Sequence, residues 1–234
     1  MTEKLMARTP DLDALLDAAL RHVAFDGWSA ATMAAAAADA GLSETDAREL
    51  APRGAIDLVA ALHRRGDSEM KERLANADLA SFRFRDRVAK ALKVRLDAMP
   101  DQQVARRTAA FLSVPIHAPE GAKLVWGTSD MIWNALGDTS RDGNWYTKRA
   151  TLSGVFGSTL LYWLGDESPD HAATNAFIDR RIDDVMQIES LKGKLRQNPF
   201  TRPFMDAQAA LFGRFLAPNG QEDPGLPGRW ESDA

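Results

Sequence analysis

The chain has 234 residues, 45% of them hydrophobic and 26% charged, enough for one large helical domain or a small module joined to a larger one, and too apolar to be disordered along most of its length. Its 29 basic and 33 acidic residues leave a net charge of −4, the opposite of the basic excess that coats phosphates. The lack of cysteine excludes disulfides, thiolate chemistry and Cys-based zinc sites, and no stretch reaches the ~18 uncharged apolar residues of a membrane span.

The start, MTEKLMARTPDLDALL, has neither a secretory apolar region nor a small-residue cleavage site, which predicts a cytoplasmic protein whose membrane contact is peripheral. Almost everything reads as helix, with no run of alternating β-branched residues fit for a strand. Leu12, Leu15, Leu16, Ala19, Leu20 and Val23 recur at helical spacing and predict a helix over 10–25, stopped at Asp26-Gly27. Ser29 is the N-cap of an alanine-rich helix over 32–40, and Gly41-Leu42-Ser43 turns the chain into a short helix over 44–50. Pro52-Arg53-Gly54 breaks it, and a helix over 55–75 follows.

Beyond a loop at 76–80, helices are predicted over 82–99, 101–112 and 120–136, with Pro115 and Pro119 delimiting the loop before the last of these. A polar connection at 137–143 leads into a long apolar helix over 144–164. Ser168 and Pro169, as N-cap and first helical residue, start another that reaches about 195. The tail at 218–234 is rich in Gly, Pro and acidic residues and is predicted to be disordered.

Residues 25–62 match a TetR-type helix-turn-helix in order and spacing. The short helix, however, carries Glu44, Asp46 and Glu49 against Arg48 alone, where a DNA reader needs cations and amides. Phosphates would repel it, so the hairpin is read as a packing unit and no nucleic-acid partner is expected.

The most distinctive stretch is GDTSRDGNWYTKRA at 137–150. LVWGTSDMIWNAL precedes it at 124–136, TLSGVFGSTLLYWLGDES follows at 151–168, and FIDRRIDDVMQIE comes after at 177–189, with HVAFDGWSAATM at 22–33 near the front. Together these segments resemble the family of the ninth coenzyme Q (ubiquinone) biosynthesis protein over about 12–195. The resemblance implies an all-α, TetR-like fold and a homodimer, with a non-catalytic role in ubiquinone biosynthesis. It implies an isoprenoid, quinone-type or phospholipid ligand, no cofactor and no metal. It implies as partner a membrane-associated ring hydroxylase of the demethoxyubiquinone type, and peripheral association with the inner membrane. On that basis the chain divides into a helix-turn-helix module at 10–75, a lipid-binding and dimerisation domain at 81–196, an amphipathic helix at 200–217 and the tail.

Asp138, Ser140 and Asp142 suit capping of the helix that starts near Asn144. Trp145 and Tyr146 beside Lys148 and Arg149 suit either an aromatic corner of the core or an anchor for a protein partner; with the resemblance, all eight residues are read as a partner surface. Trp126, Met131, Ile132 and Trp133 on one helix and Leu152, Val155, Phe156, Leu160 and Trp163 on the next suit a core or a lipid pocket between helices. Phe204, Met205, Leu211, Phe212, Phe215 and Leu216 gather on one side of a helical wheel and suit a bilayer boundary or docking on the protein's own body. Arg83, Arg85, Arg87, Lys90, Lys93 and Arg95 read as a solvated face or an attraction for anionic lipid.

The four histidines are scattered outside any metal-binding spacing, and Asp183 and Asp184 read as a solvated face beside Arg180 and Arg181. No phosphate loop or nucleophile elbow occurs. A ligand-responsive transcription regulator is the alternative function, and an enzyme of small apolar substrates a third.

Overall fold

The apolar spacing becomes helix throughout the residues described by the computed structural model, 11–141 and 143–197. In chain order these are α1 (Leu12–Asp26), α2 (Ala30–Asp39), α3 (Glu44–Leu50), α4 (Ala55–Ala75), α5 (Phe84–Asp97), α6 (Gln102–Ser113), α7 (Ala118–Ala135), α8 (Gly143–Trp163) and α9 (Ala172–Gln197). No strand occurs among the described residues. Asp142, the stretch 200–217 with Phe204, Met205, Leu211, Phe212, Phe215 and Leu216, and the tail at 218–234 lie outside them.

The described residues form two compact units: one comprises 11–66 and Met99–Gly121, and the other Asp67–Ala98 and the described residues of 122–197. In the first unit Leu15, Leu16, Ala19 and Val23 of α1 are buried with Ala36 and Ala37 of α2, whose small side chains let the two helices approach. Gly27, at φ 65°, ends α1. Arg107 of α6 donates to the carbonyls of Ala24 and Phe25 at 3.3 and 3.2 Å, a cation on the negative end of α1. Trp28 donates to Thr108 at 2.9 Å.

The turn into α3 uses Gly41 at φ 69° and a capping box. The Asp46 amide donates to Ser43 Oγ at 3.1 Å, and the Ser43 amide donates to Asp46 Oδ2 at 3.2 Å. Asp46 is thus committed to the cap, whereas Glu44, Arg48 and Glu49 are exposed.

Most helix starts shift by one to three residues from the sequence reading, and two of these shifts have a visible cause. α7 begins at Ala118 and includes Pro119 in its first turn, where a missing N–H costs nothing. Pro169–His171 form a 3-10 turn, with Asp170 and His171 both at φ 52°, so α9 begins only at Ala172. Its first amides are satisfied from upstream: Ala173 donates to Ser168 Oγ at 3.0 Å and Thr174 to Asp166 Oδ2 at 2.8 Å. Burial alone would raise the Asp166 carboxyl, but hydrogen bonds from Ser168 and Thr174 outweigh it and hold the group well below the usual carboxylate range.

The core of the second unit contains Met70, Leu74, Ala91, Leu92, Ile132, Phe156 and Ile178. A charged group sits inside it. Arg95 is 1% exposed, donates to Asp67 Oδ1 at 2.6 Å, and lies 5.7 Å from the Phe156 ring centroid. Thr128 of α7 donates to the same carboxylate oxygen at 2.8 Å, so one acid links α4, α5 and α7.

Replacing one member of a buried pair strands the other charge, at a cost of about 3–5 kcal/mol. Arg95→Met should lower stability by that amount in urea unfolding, and adding Asp67→Leu should recover part of it. A single-variant loss below about 1 kcal/mol, the scale of an exposed pair, would show that the pair does not stabilise this core.

Candidate functional site

The site begins where α7 stops. Gly137, at φ 81°, closes the helix in a Schellman turn: its amide donates to Asn134 O, and the Asp138 amide donates to Trp133 O, both at 3.0 Å. This hairpin turns the Asp138 side chain inward, where it is 3% exposed.

Asp138 Oδ1 accepts from Lys148 Nζ at 2.7 Å and Ser140 Oγ at 2.8 Å, and its Oδ2 accepts from Arg149 at 2.9 Å. Arg149 is itself 1% exposed. It donates to Asp130 Oδ1 at 2.6 Å and to Asn134 Oδ1 and Trp145 O at 3.3 Å each, and its guanidinium lies 4.0 Å from the Trp145 ring centroid. Burial would raise the Asp138 carboxyl, but the bonds from Lys148, Arg149 and Ser140 prevail and hold it far below the usual carboxylate range. Asp138 and Arg149 are therefore turned inward and fasten the α7–α8 connection. Ser140 supports the same carboxylate. Asn144 and Tyr146 remain exposed, and Trp145 is half-buried beside Trp126 and Tyr146, with centroids 6.0 and 4.8 Å away.

The same turn fixes a cavity wall. Trp133 donates from its indole nitrogen to Lys148 O at 3.1 Å, lies 5.1 Å from Lys148 Nζ, and stacks on Phe84 of α5 at 5.6 Å. Beside it opens a cavity of about 240 Å³, lined by Phe84, Arg85 and Val88 of α5, Trp133 of α7, Asn144, Thr147, Lys148, Thr151, Leu152 and Val155 of α8, and Ile182, Val185 and Met186 of α9. Val88, Leu152, Val155 and Ile182 are buried and form an apolar floor, whereas Phe84, Asn144, Thr147 and Met186 are exposed and form the rim. Arg85 closes the α5–α9 side: it donates to Asp183 Oδ1 at 2.7 Å and Asp179 O at 3.3 Å. The bond to Asp183 raises the guanidinium pKa and lowers that of the carboxyl.

Of the residues read from sequence as lipid-binding, Trp133, Leu152 and Val155 line the cavity, and Asn144 and Lys148 join them from the other set. Ile132 and Phe156 are fully buried in the core, Trp163 packs near His171, Trp126 belongs to the Trp145 cluster, and Met131 and Leu160 are half-buried elsewhere. The sequence reading missed the α5 and α9 walls. Ile178, Ile182 and Val185, spaced four and three apart, were the available signal. Asp184 pairs with Arg181 at 2.7 Å, but Asp183 reaches across to Arg85.

The Asp138 carboxyl binds a proton less readily in the folded than in the unfolded chain. Its stabilisation is therefore complete above the ordinary value of 3.8 and is lost as pH falls through and below it. The urea midpoint of the unaltered protein should fall more steeply between about pH 5 and pH 2.5 than that of Asp138→Asn; parallel curves would contradict the assignment.

The COQ9 family model matches residues 118–189, which span α7, α8 and the lining residues of α9. The chain is 32% identical over 181 residues to the rat ubiquinone biosynthesis protein COQ9, mitochondrial, covering 74% of this chain and 58% of that protein. It is 30% identical over 208 residues to the Drosophila melanogaster protein of the same name, covering 84% and 64% respectively. The chain thus spans less than two thirds of the length of these relatives. A TetR transcriptional regulator from Nitrosomonas europaea superposes with a TM-score of 0.61 at 24% identity, covering 74% of this chain and 95% of that one. The chain belongs to the COQ9 family, built on a TetR-like helical fold.

Proposed function

We propose that this chain serves ubiquinone biosynthesis as a non-catalytic accessory protein, taking one end of an isoprenoid quinone or its precursor into the α5–α9 cavity and presenting it to a membrane-associated ring hydroxylase. The relatives named for ubiquinone biosynthesis support the pathway. The observation that carries the ligand is the cavity, with an aliphatic floor, an aromatic wall at Trp133 and Phe84, and hydrogen-bonding groups at the rim. At about 240 Å³ it lies below the ~300–1,000 Å³ of a site that encloses a drug-sized ligand. A ring or a terminal isoprene fits this space, with the rest of the chain leaving over the rim.

In this reading Asn144 and Tyr146, held outward by the Asp138–Arg149 knot, belong to the hydroxylase contact. Leu161 and Tyr162, exposed on α8, belong to a homodimer face. The transcription-regulator alternative is disfavoured by exposed Glu44 and Glu49 on α3.

Titration with a short-chain ubiquinone analogue should quench tryptophan fluorescence through Trp133. Val155→Trp, which fills the floor, should weaken binding by more than about tenfold, ~1.4 kcal/mol, with the circular dichroism of the fold unchanged. Equal affinity in the filled variant would refute the cavity assignment. Under the same reading, duplex DNA should show no sequence-specific shift in gel mobility, and tight binding to a defined operator would favour the regulator.

A further inference from the structure

The turn between α4 and α5 carries two exposed aromatics. It reads SFRFRDR over 81–87, and Phe82 and Phe84 are 39% and 45% exposed. Large apolar side chains adjacent on a surface and mixed with cations mark a contact site rather than scattered exposure. Lys90 Nζ lies 4.8 Å from the Phe82 ring centroid, and Arg83, between the two phenylalanines in sequence, is exposed. Arg87 donates to Phe82 O at 2.9 Å and Ala80 O at 3.5 Å, which fixes the backbone that presents them.

Along the stretch itself cations outnumber carboxylates, with Arg83, Arg85, Arg87 and Lys90 against Asp78 and Asp86 over 78–90. Arg85 is engaged by Asp183 at 2.7 Å, Asp86 at 3.4 Å and Asp179 at 3.7 Å, which leaves Asp78 as the other carboxylate of 78–90 beside Arg83, Arg87 and Lys90 in sequence. Phe84 is also part of the cavity rim, together with Met186, which is 47% exposed. Aromatic insertion and the cavity mouth therefore share a residue.

The geometry points to the α4–α5 turn as an insertion point into an anionic lipid surface, with Phe82 and Phe84 entering the headgroup boundary, Arg83 and Lys90 meeting lipid phosphates, and the cavity opening directly beside the bilayer. Aromatics flanked by cations match both halves of that boundary, the apolar edge and the negative surface potential. A lipid whose tail stays in the bilayer can then pass its end over Phe84 without crossing water. This passage rests on the reading of the cavity as a lipid site; the surface contact does not.

The chain has no cysteine, so Ala80→Cys in the full chain gives a single attachment point for an environment-sensitive dye. The dye should shift to the blue, and be quenched by brominated lipid, with vesicles of phosphatidylcholine and phosphatidylglycerol but not with phosphatidylcholine alone. Arg83→Gln with Lys90→Gln should lower vesicle affinity about 30-fold, from roughly 1 kcal/mol per cation. Phe82→Ser should remove the blue shift, with circular dichroism unchanged. Vesicle-bound protein whose dye shows no shift would overturn the inference, as would binding indifferent to the two cations or a response only to a soluble protein. Lost insertion with retained quinone binding would sink this inference alone. Retained insertion without quinone binding would sink the cavity reading and leave the surface contact standing.

Discussion

The bond between Asp138 and the paired cations Lys148 and Arg149 governs the geometry of the second unit's cavity. The Schellman turn at Gly137 aims the carboxylate back toward α8, and Arg149 links it to Asp130 and Asn134 on α7. Two buried charges this close persist because nearly every lone pair has a donor. The consequence is positional: Lys148 is fixed, its backbone carbonyl holds the Trp133 indole, and the indole stacks on Phe84 to make one wall of the cavity. The motif residues that face inward set where the outward-facing Asn144 and Tyr146 stand.

A second polar device works the opposite side. Arg85 ties α5 to α9 through Asp183, while Asp67, Arg95 and Thr128 join α4, α5 and α7 in the core. Four helices that bury mainly small and aliphatic side chains have interchangeable packings; directional ionic bonds between them select one. The void beside Val88, Val155 and Ile182 lies among helices joined in this way.

Helix positions were largely legible in the sequence, because apolar period, caps and breakers act within a few residues. Ser29 caps where composition placed it, and α3 and α4 keep the expected bounds. The misread start at Pro169 has a distal cause: Asp166 and Ser168 reach past a 3-10 turn to amides at Thr174 and Ala173. The same limit governed the site. Asp138 has the composition of a cap, and only the folded turn brings Lys148 and Arg149, ten and eleven residues on, to its oxygens. Cavity residues on α8 were visible as an apolar face. Those on α5 and α9 were hidden among charges, since Arg85 and Asp183 look solvated until their partnership, 98 residues apart in sequence, is known.

The account stands on the cavity holding isoprenoid lipid, and the most direct measurement is mass spectrometry of lipid extracted from the full chain after purification from a ubiquinone-producing host. An isoprenoid quinone or its precursor should be recovered from the unaltered protein and be depleted in Val155→Trp. Protein that carries no such lipid, or the same lipid in equal amount with the cavity filled, would contradict it.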